Sequence, residues 1–273
     1  MDSRQVYRGL DIGTGKPSAT ERRAAVHHLL DVVEPGESWS AGRHAAAARG
    51  VVAGIAGAGR LPFLVGGTGL YFRALLGGLS DVAVPDDVAR GLRAAMDRRT
   101  TRDLYAELAR RDPRRAAQLS PADRVRITRA LEIIEFTGRS VSDIYEESRE
   151  ATPYTPLRVV LTMPRPALRA RIEARTREFF RAGWVEEVRR LVEGGLAVDA
   201  PGMKSLGYGE IARALSAGLP MGPVVDDVIV RTQRYAKRQE TFFRAEAGAL
   251  WVDVSLPGFE RELEGAVEAL ITT

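Results

Sequence analysis

Apolar and polar positions alternate along this chain with two different periods, and the change of period divides it. From Ser40 to Gly59 an Ala-rich stretch opens on a serine suited to cap a helix and closes on glycines. It leads into Leu61-Pro62-Phe63-Leu64-Val65, an apolar run of strand type. Gly66-Gly67-Thr68-Gly69 breaks that run, and Leu70 to Leu76 resumes helical spacing. Helix, strand, glycine loop and helix in that order predict a parallel sheet of the α/β class. His28 to Val33, Arg158 to Thr162 and Leu250 to Val254 are further candidates for buried strands.

The middle of the chain differs. From about Val84 to Ser148 the period is helical and strand signals almost vanish. Ser120-Pro121-Ala122-Asp123 predicts a helix start, with Ser120 as cap, proline first and an acid third. That helix runs to about Phe136 and stops near Thr137-Gly138. Ile127, Ala130, Leu131 and Ile134 form its apolar side, while Arg126 and Arg129 lie one turn apart. After Pro156 the strand-helix alternation returns. Near the C-terminus Arg231, Arg234, Arg238 and Thr241 share one helix face, which Lys237 and Arg244 extend. The predicted architecture is an α/β core over 1–81 and 155–273, interrupted by an all-helical insertion over 82–154.

Composition narrows the function classes. A chain of 273 residues can bury a large core, and 45% hydrophobic with 28% charged residues is ordinary for a soluble domain. No apolar run approaches the ~18 residues of a membrane span. The first residues hold no apolar segment of signal-peptide type, so the sequence predicts a cytoplasmic protein without a membrane partner. The absence of cysteine excludes disulfides, thiolate metal sites and a cysteine nucleophile. Net charge is +4, and of 40 cationic side chains all but Lys16, Lys204 and Lys237 are arginine. Arginine suits bidentate phosphate contacts and stacking on bases, but from composition alone an Ala-, Gly- and Arg-rich sequence favours codon composition as the explanation.

Two glycine loops carry candidate chemistry. Gly66-Gly67-Thr68-Gly69 stands at the C-terminal end of an expected strand, where open α/β sheets bind ligands, and Thr68 adds a hydroxyl beside a helix N-terminus. A plain turn reads the same way. Gly13-Thr14-Gly15-Lys16 looks like part of a phosphate-binding loop, yet that motif needs glycine five residues before its last glycine and a hydroxyl after lysine. Leu10 and Pro17 occupy those places, and Pro17 has no N–H for a phosphate. It is not a P-loop.

Several ordered segments together resemble the tRNA dimethylallyltransferase (tRNA isopentenyltransferase) family over nearly the whole chain. They are Asp2 to Pro17, His27-His28-Leu29-Leu30-Asp31, Leu64 to Phe72, Arg126 to Glu132, Leu206-Gly207-Tyr208, and Ala236-Lys237-Arg238-Gln239 with Thr241. The resemblance implies an α/β core related to P-loop kinases and a helical insertion that grips the anticodon stem-loop. It implies a monomer that moves a dimethylallyl group from its diphosphate to the exocyclic amine of the adenosine 3′ to the tRNA anticodon, with Mg²⁺. The leaving diphosphate calls for N–H groups and cations, the amine for a carboxylate that takes its proton, and the base must leave the loop stack.

Carried over by position, Asp2 is the implied base and Thr68 a second catalytic-site residue that contacts substrate. Ser3, Arg4 and Gln5 are implied to hold the flipped nucleotide. Arg90, Val125, Arg126, Ile127, Thr128 and Arg129 match tRNA-contacting positions of the insertion. So do Lys204, Ser205, Leu206, Gly207, Tyr208 and Gly209, and then Thr232, Gln233, Arg234, Tyr235, Ala236, Lys237, Arg238 and Gln239.

The sequence departs from the family in two places. Family members carry a strand, a Gly-x-Thr-x-Ser-Gly-Lys-Thr loop and a helix before the segment matching Asp2, whereas Met1 stands directly before it here. The expectation is a misplaced start or a truncated sequence, with residues 1–273 alone inactive and poorly stable. Gln233 stands where the family usually has arginine, and Arg231 and Arg234 are the candidates to supply that charge. Competing readings are a prenyltransferase of free adenylate, a small-molecule kinase, and a non-catalytic RNA-binding remnant. Arg126 and Arg129 on the insertion argue against the first, since a free nucleotide needs no stem-loop grip.

Overall fold

Burial sorts the apolar side chains into two clusters, one in each of two compact units. The computed structural model describes residues 1–77, 82, 84–147 and 153–271. The first unit comprises Met1–Trp39, Ala47–Tyr71 and Tyr154–Thr273; the second comprises Ser40–Ala46 and Phe72–Pro153. The boundaries thus fall at 71/72 and 153/154, the first earlier than the expected residue 81, and the second unit takes in Ser40–Ala46 as well.

In chain order the helices before the first strand are α1 Ala19–Ala24, α2 Ala41–Gly57, α3 Gly69–Gly77, α4 Asp86–Asp97, α5 Thr101–Arg111, α6 Pro113–Ala117, α7 Arg124–Thr137 and α8 Val141–Glu147. Then follow β1 Val159–Thr162, α9 Arg165–Arg181, α10 Trp184–Glu193, α11 Tyr208–Ser216, α12 Met221–Arg244, β2 Leu250–Asp253 and α13 Phe259–Ile271. β1 and β2 pair in parallel with Val160 opposite Trp251, as the apolar runs at Arg158 and Leu250 predict. Parallel neighbours need a long crossover, and α9 to α12 supply it. The fold is α/β, rich in helix, with a small parallel sheet.

Beside the sheet, the core of the first unit gathers Val6, Leu10, Trp184, Val188, Met203, Tyr208 and Ile211. Trp184 meets the Tyr208 ring edge-on at 5.5 Å and the Phe180 ring at 5.1 Å. The core of the second unit joins Leu104 and Leu108 of α5 to Ile127, Leu131, Ile133 and Ile134 of α7. Asp112, almost fully buried there, accepts from Arg115 N at 2.9 Å, Ser142 N at 2.9 Å and Ser142 Oγ at 2.6 Å, fixing the α6 start to α8. Burying that carboxylate without such donors would be costly.

Three local expectations need correction. Leu61 to Val65 is extended but joins no ladder among the described residues, and Phe63 and Val65 are 69% and 77% exposed. A strand is defined by its partner, not by its apolar content. His28 to Val33 contributes a single parallel bridge, Tyr7 to Val33, because Leu29 and Asp31 take left-handed φ of +61° and +56° and bend the run. The helix α7 is capped by Asp123 rather than Ser120. The Asp123 carboxylate accepts from Arg126 N at 3.1 Å, while Ser120 belongs to the preceding turn. Its end at Thr137, with Gly138 left-handed behind it, and the Ser40 cap on Arg43 N of α2 follow the sequence pattern. Among the described residues no helix is long and apolar enough to cross a membrane.

Candidate functional site

The first turn of the chain is built around one carboxylate. Asp2 Oδ1 accepts from Arg4 N at 2.7 Å and Gln5 N at 3.2 Å. Ser3 N donates to Thr68 Oγ1 at 3.1 Å, and Thr68 Oγ1 lies 3.3 Å from Ser3 Oγ. Thr68 N donates in turn to Met1 O at 3.3 Å. Ser3 and Thr68, 65 positions apart in sequence, thereby meet and bring the Asp2 turn beside the glycine loop in one corner of the first unit.

The glycines around Thr68 make this approach possible. A Cβ on Gly66 would strike the Met1 backbone, one on Gly67 the Gln239 side-chain amide, and one on Gly69 the Phe242 ring. Gln239 of α12 uses the space at Gly67 to donate from Nε2 to Gly67 O at 2.8 Å. The loop is therefore more than a plain turn: its missing side chains admit the first residues and α12.

Arg175 of α9 is a neighbour that sequence reasoning missed. Its guanidinium lies 5.4 Å over the Phe179 ring and feels the Asp2 carboxylate. Burial of its charge holds its pKa below the ordinary arginine value, the nearby Arg171 adds to that, and Asp2 opposes it. The signal available in sequence was the pair Arg171 and Arg175, one turn apart on a helix that follows a strand.

The loop that imitates a phosphate site is occupied by the protein itself. Lys16 Nζ donates to Tyr7 O at 2.6 Å and pairs with Asp11 at 2.7 Å and with Asp31. Gly13 lies against the Trp184 ring, where a Cβ has no room, and its N–H donates to Tyr208 Oη at 3.1 Å. Glu187, nearly buried, accepts from Asp11 N, Ile12 N and the Tyr208 hydroxyl. Burial, then the Glu187 charge, pushes the Tyr208 phenol far above its ordinary range.

Several positions matched to RNA contact are accounted for otherwise. Tyr208 is fully buried in the first core and Ile127 in the second, so their side chains pack rather than face a ligand. Ser205 and Gly209 are buried and Gly207 seats the Trp184 ring, leaving Lys204 exposed and Leu206 half-buried in that stretch. Arg129 donates to buried Glu132 at 3.0 Å and to Val82 O at 2.8 Å, and Arg93 grips the same carboxylate. Arg126 is exposed, with only Asp123 at 3.5 Å; Val125 and Arg90 are exposed and Thr128 half-buried.

On α12 the cations are freer. Arg234, Lys237, Arg238 and Thr241 line an open depression of about 420 Å³. Arg238 stacks over Tyr235 at 5.6 Å, and Thr232 turns its hydroxyl back to Val228 O. Gln233 and Ala236 are half-buried. Arg231 pairs with Asp227 at 2.6 Å and Glu210 at 3.3 Å, so Arg234 is the better replacement for the arginine expected at Gln233. Among the described residues no group of three or more acidic or histidine side chains could hold a metal ion. These described residues alone do not fit a resident Mg²⁺.

Residues 5–246 match the family model described as IPP transferase. The chain belongs to the IPP transferase family. Among its relatives, a tRNA dimethylallyltransferase of Methylococcus capsulatus is 42% identical, over 98% of this chain and 88% of the relative. One from Anaeromyxobacter dehalogenans is 44% identical, over 92% and 84% respectively. A solved tRNA isopentenylpyrophosphate transferase of Bacillus halodurans superposes with a TM-score of 0.69 at 34% identity, covering 98% of this IPP transferase and 85% of that chain. A eukaryotic dimethylallyltransferase described as acting on tRNA gives 0.72 at 23% identity, covering 92% and 66%, which speaks for the fold alone.

Proposed function

We propose that this IPP transferase family member is a tRNA dimethylallyltransferase, acting as a cytoplasmic monomer on the adenosine 3′ to the anticodon. The observation that carries the reading is the Asp2–Ser3–Thr68 constellation, with Gln239 on the glycine loop. The names of the relatives agree with it.

In the proposed reaction the exocyclic nitrogen of adenosine forms a bond to C1 of the dimethylallyl group. The C1–O bond breaks, and diphosphate leaves with the electron pair. The amine proton passes to the Asp2 carboxylate, whose other neighbours, the Arg4 and Gln5 N–H groups, fix its direction. Arg175 is the cation placed to meet negative charge nearby, and Thr68 offers a hydroxyl at the same corner. Mg²⁺ is proposed only as a companion of the diphosphate, because it commonly binds through substrate phosphates with few protein ligands. The exposed cations of α12 and Arg126 are the proposed RNA contacts.

The test is prenyl transfer from dimethylallyl diphosphate with Mg²⁺, offering either an anticodon stem-loop or free AMP. The protein is assayed as residues 1–273 and with its upstream genomic codons. Transfer to the stem-loop and not to AMP is expected. Product from AMP alone would overturn the tRNA assignment, and RNA binding without transfer in either form would favour a non-catalytic reading.

A further inference from the structure

Gln5 is the last residue of the turn that holds Asp2, and it is tied down at both ends. Its backbone N–H donates to Asp2 Oδ1 at 3.2 Å, and its carbonyl accepts from Asp31 N at 3.2 Å. Its side-chain amide donates to Thr14 O at 3.2 Å and Gly15 O at 3.0 Å. Whatever fixes Asp31 and the 14–15 carbonyls therefore fixes the Asp2 turn.

Both are fixed by Lys16. Its ammonium, with the side chain only 2% exposed, binds Asp31 Oδ1, Asp11 Oδ1 at 2.7 Å and Tyr7 O at 2.6 Å, and its N–H closes the loop on Asp11 O at 3.1 Å. Three chain segments converge on one desolvated cation. Asp31 is further gripped by Arg22, Nη2 to Oδ2 at 3.3 Å, and by Arg8, Nε to its carbonyl at 2.8 Å. This matters because Asp31 stands at φ +56°, a left-handed conformation that a non-glycine residue keeps only when its surroundings hold it there.

We infer that Lys16 and Asp31 are positioning residues that hold the Asp2 carboxylate through Gln5. The lysine that sequence alone reads as a failed phosphate ligand has a job of its own, as the hub of a brace. Both residues are inferred to act through Gln5 rather than on substrate. Calling Asp2 the base rests on the proposed function, but the mechanical link from Asp31 to Asp2 does not.

The decisive variant is Asp31→Asn, because asparagine accepts the left-handed backbone as readily as aspartate and only the charge is lost. Lys16→Met, which removes the hub while keeping a long apolar stem, is the second variant. The first readout is amide hydrogen exchange by NMR in the whole chain. Arg4 and Gln5 N–H report the Asp2 turn; Leu250 and Val254 N–H, which donate to Arg158 O and Thr162 O, report the sheet. We expect Arg4 and Gln5 to exchange roughly ten-fold faster in either variant, with the sheet amides unchanged. Single-turnover prenyl transfer should fall by roughly 10- to 100-fold at saturating stem-loop, with stem-loop Kd unchanged, as expected of a displaced catalytic group. Unchanged Arg4 and Gln5 exchange in both variants would overturn the inference, and so would equal acceleration of the sheet amides, which means a general loss of stability. If the unaltered protein transfers no prenyl group in either form assayed, the proposed function fails, while the exchange data still decide whether the brace exists. Should Lys16→Met not fold, Asp31→Asn decides alone.

Discussion

Both units are rich in arginine, but the second unit and the middle of α12 in the first use it differently. In the second unit many of the arginines are paired within the fold. Arg93 and Arg129 share Glu132, Arg111 joins Glu107 to Glu135, Arg114 reaches Asp143 and Glu146, and Arg139 holds Glu147. On α12 of the first unit Arg231 and the C-terminal Arg244 are paired, but between them, among the described residues, no carboxylate pairs with Arg234, Lys237 or Arg238. A run of arginines at helical spacing does not by itself predict a nucleic-acid surface. What decides is whether the fold brings carboxylates within reach, since a cation already paired must break that pair before it can bind phosphate.

The largest effect should come from the corner where chemistry is placed, and it separates that corner from both basic faces. Asp2→Asn keeps the shape that accepts from Arg4 and Gln5 N–H but removes the proton acceptor. Its single-turnover rate should drop by roughly 10²–10⁴, with stem-loop affinity within a few-fold. A near-normal rate would remove Asp2 from the mechanism.

How far the sequence foretold this arrangement depends on whether a feature was local. The Ser40 cap and the end of α7 at Gly138 depend on neighbours a few residues away, and their residue types announce them; the apolar runs of β1 and β2 are legible too, although each strand needs the other from 91 residues away. Leu61 to Val65 has strand composition, yet strand identity requires a ladder partner that composition cannot supply. Glu132 sits in Leu131-Glu132-Ile133-Ile134, all buried, and its acceptability depends on Arg93 from 39 residues away. Lys16 looked like a failed ligand because Asp31 reaches it across a bent loop with two left-handed residues, which no spacing rule anticipates. Asp2 and Thr68 came from family resemblance; that they touch through Ser3 is a fact of the fold alone.

The second prediction concerns α12. Replacing Arg234, Lys237 and Arg238 with alanine should lower the salt dependence of RNA binding by about two to three units of log–log slope, if each neutralises one phosphate at roughly 0.7–0.9 per contact. Thermal stability should hardly change, because none of the three pairs with a carboxylate among the described residues. An unchanged slope would return this face to plain solvation.

Arg129→Ala should show the opposite profile. Glu132 is 1% exposed, and removing one of its two guanidinium partners leaves a buried carboxylate short of donors. The cost should be about 1–3 kcal/mol, near the lower end because Arg93 remains and Arg129 is itself partly exposed. Denaturant or thermal unfolding reads it directly, and full retention of stability would show that Arg93 satisfies Glu132 alone.

Arg126→Ala gives the smallest effect and the cleanest test of whether the second unit meets RNA. Arg126 shares α7 with Arg129 and lies one turn from it, but its side chain is 69% exposed and its carboxylate neighbour among the described residues, Asp123 at 3.5 Å, is already accepting from Arg126 N as the helix cap. Losing so exposed an ion pair should change stability by no more than about 0.5 kcal/mol. If Arg126 binds a phosphate, the salt slope should shrink by up to about one unit, with a modest loss of affinity at low salt that fades as salt rises. Because Arg129→Ala perturbs folding and Arg126→Ala should not, the pair separates contact from scaffold on a single helix. A slope identical to that of the unaltered protein, together with an unchanged melting temperature, would make Arg126 an ordinary solvated charge and leave the case for RNA with α12.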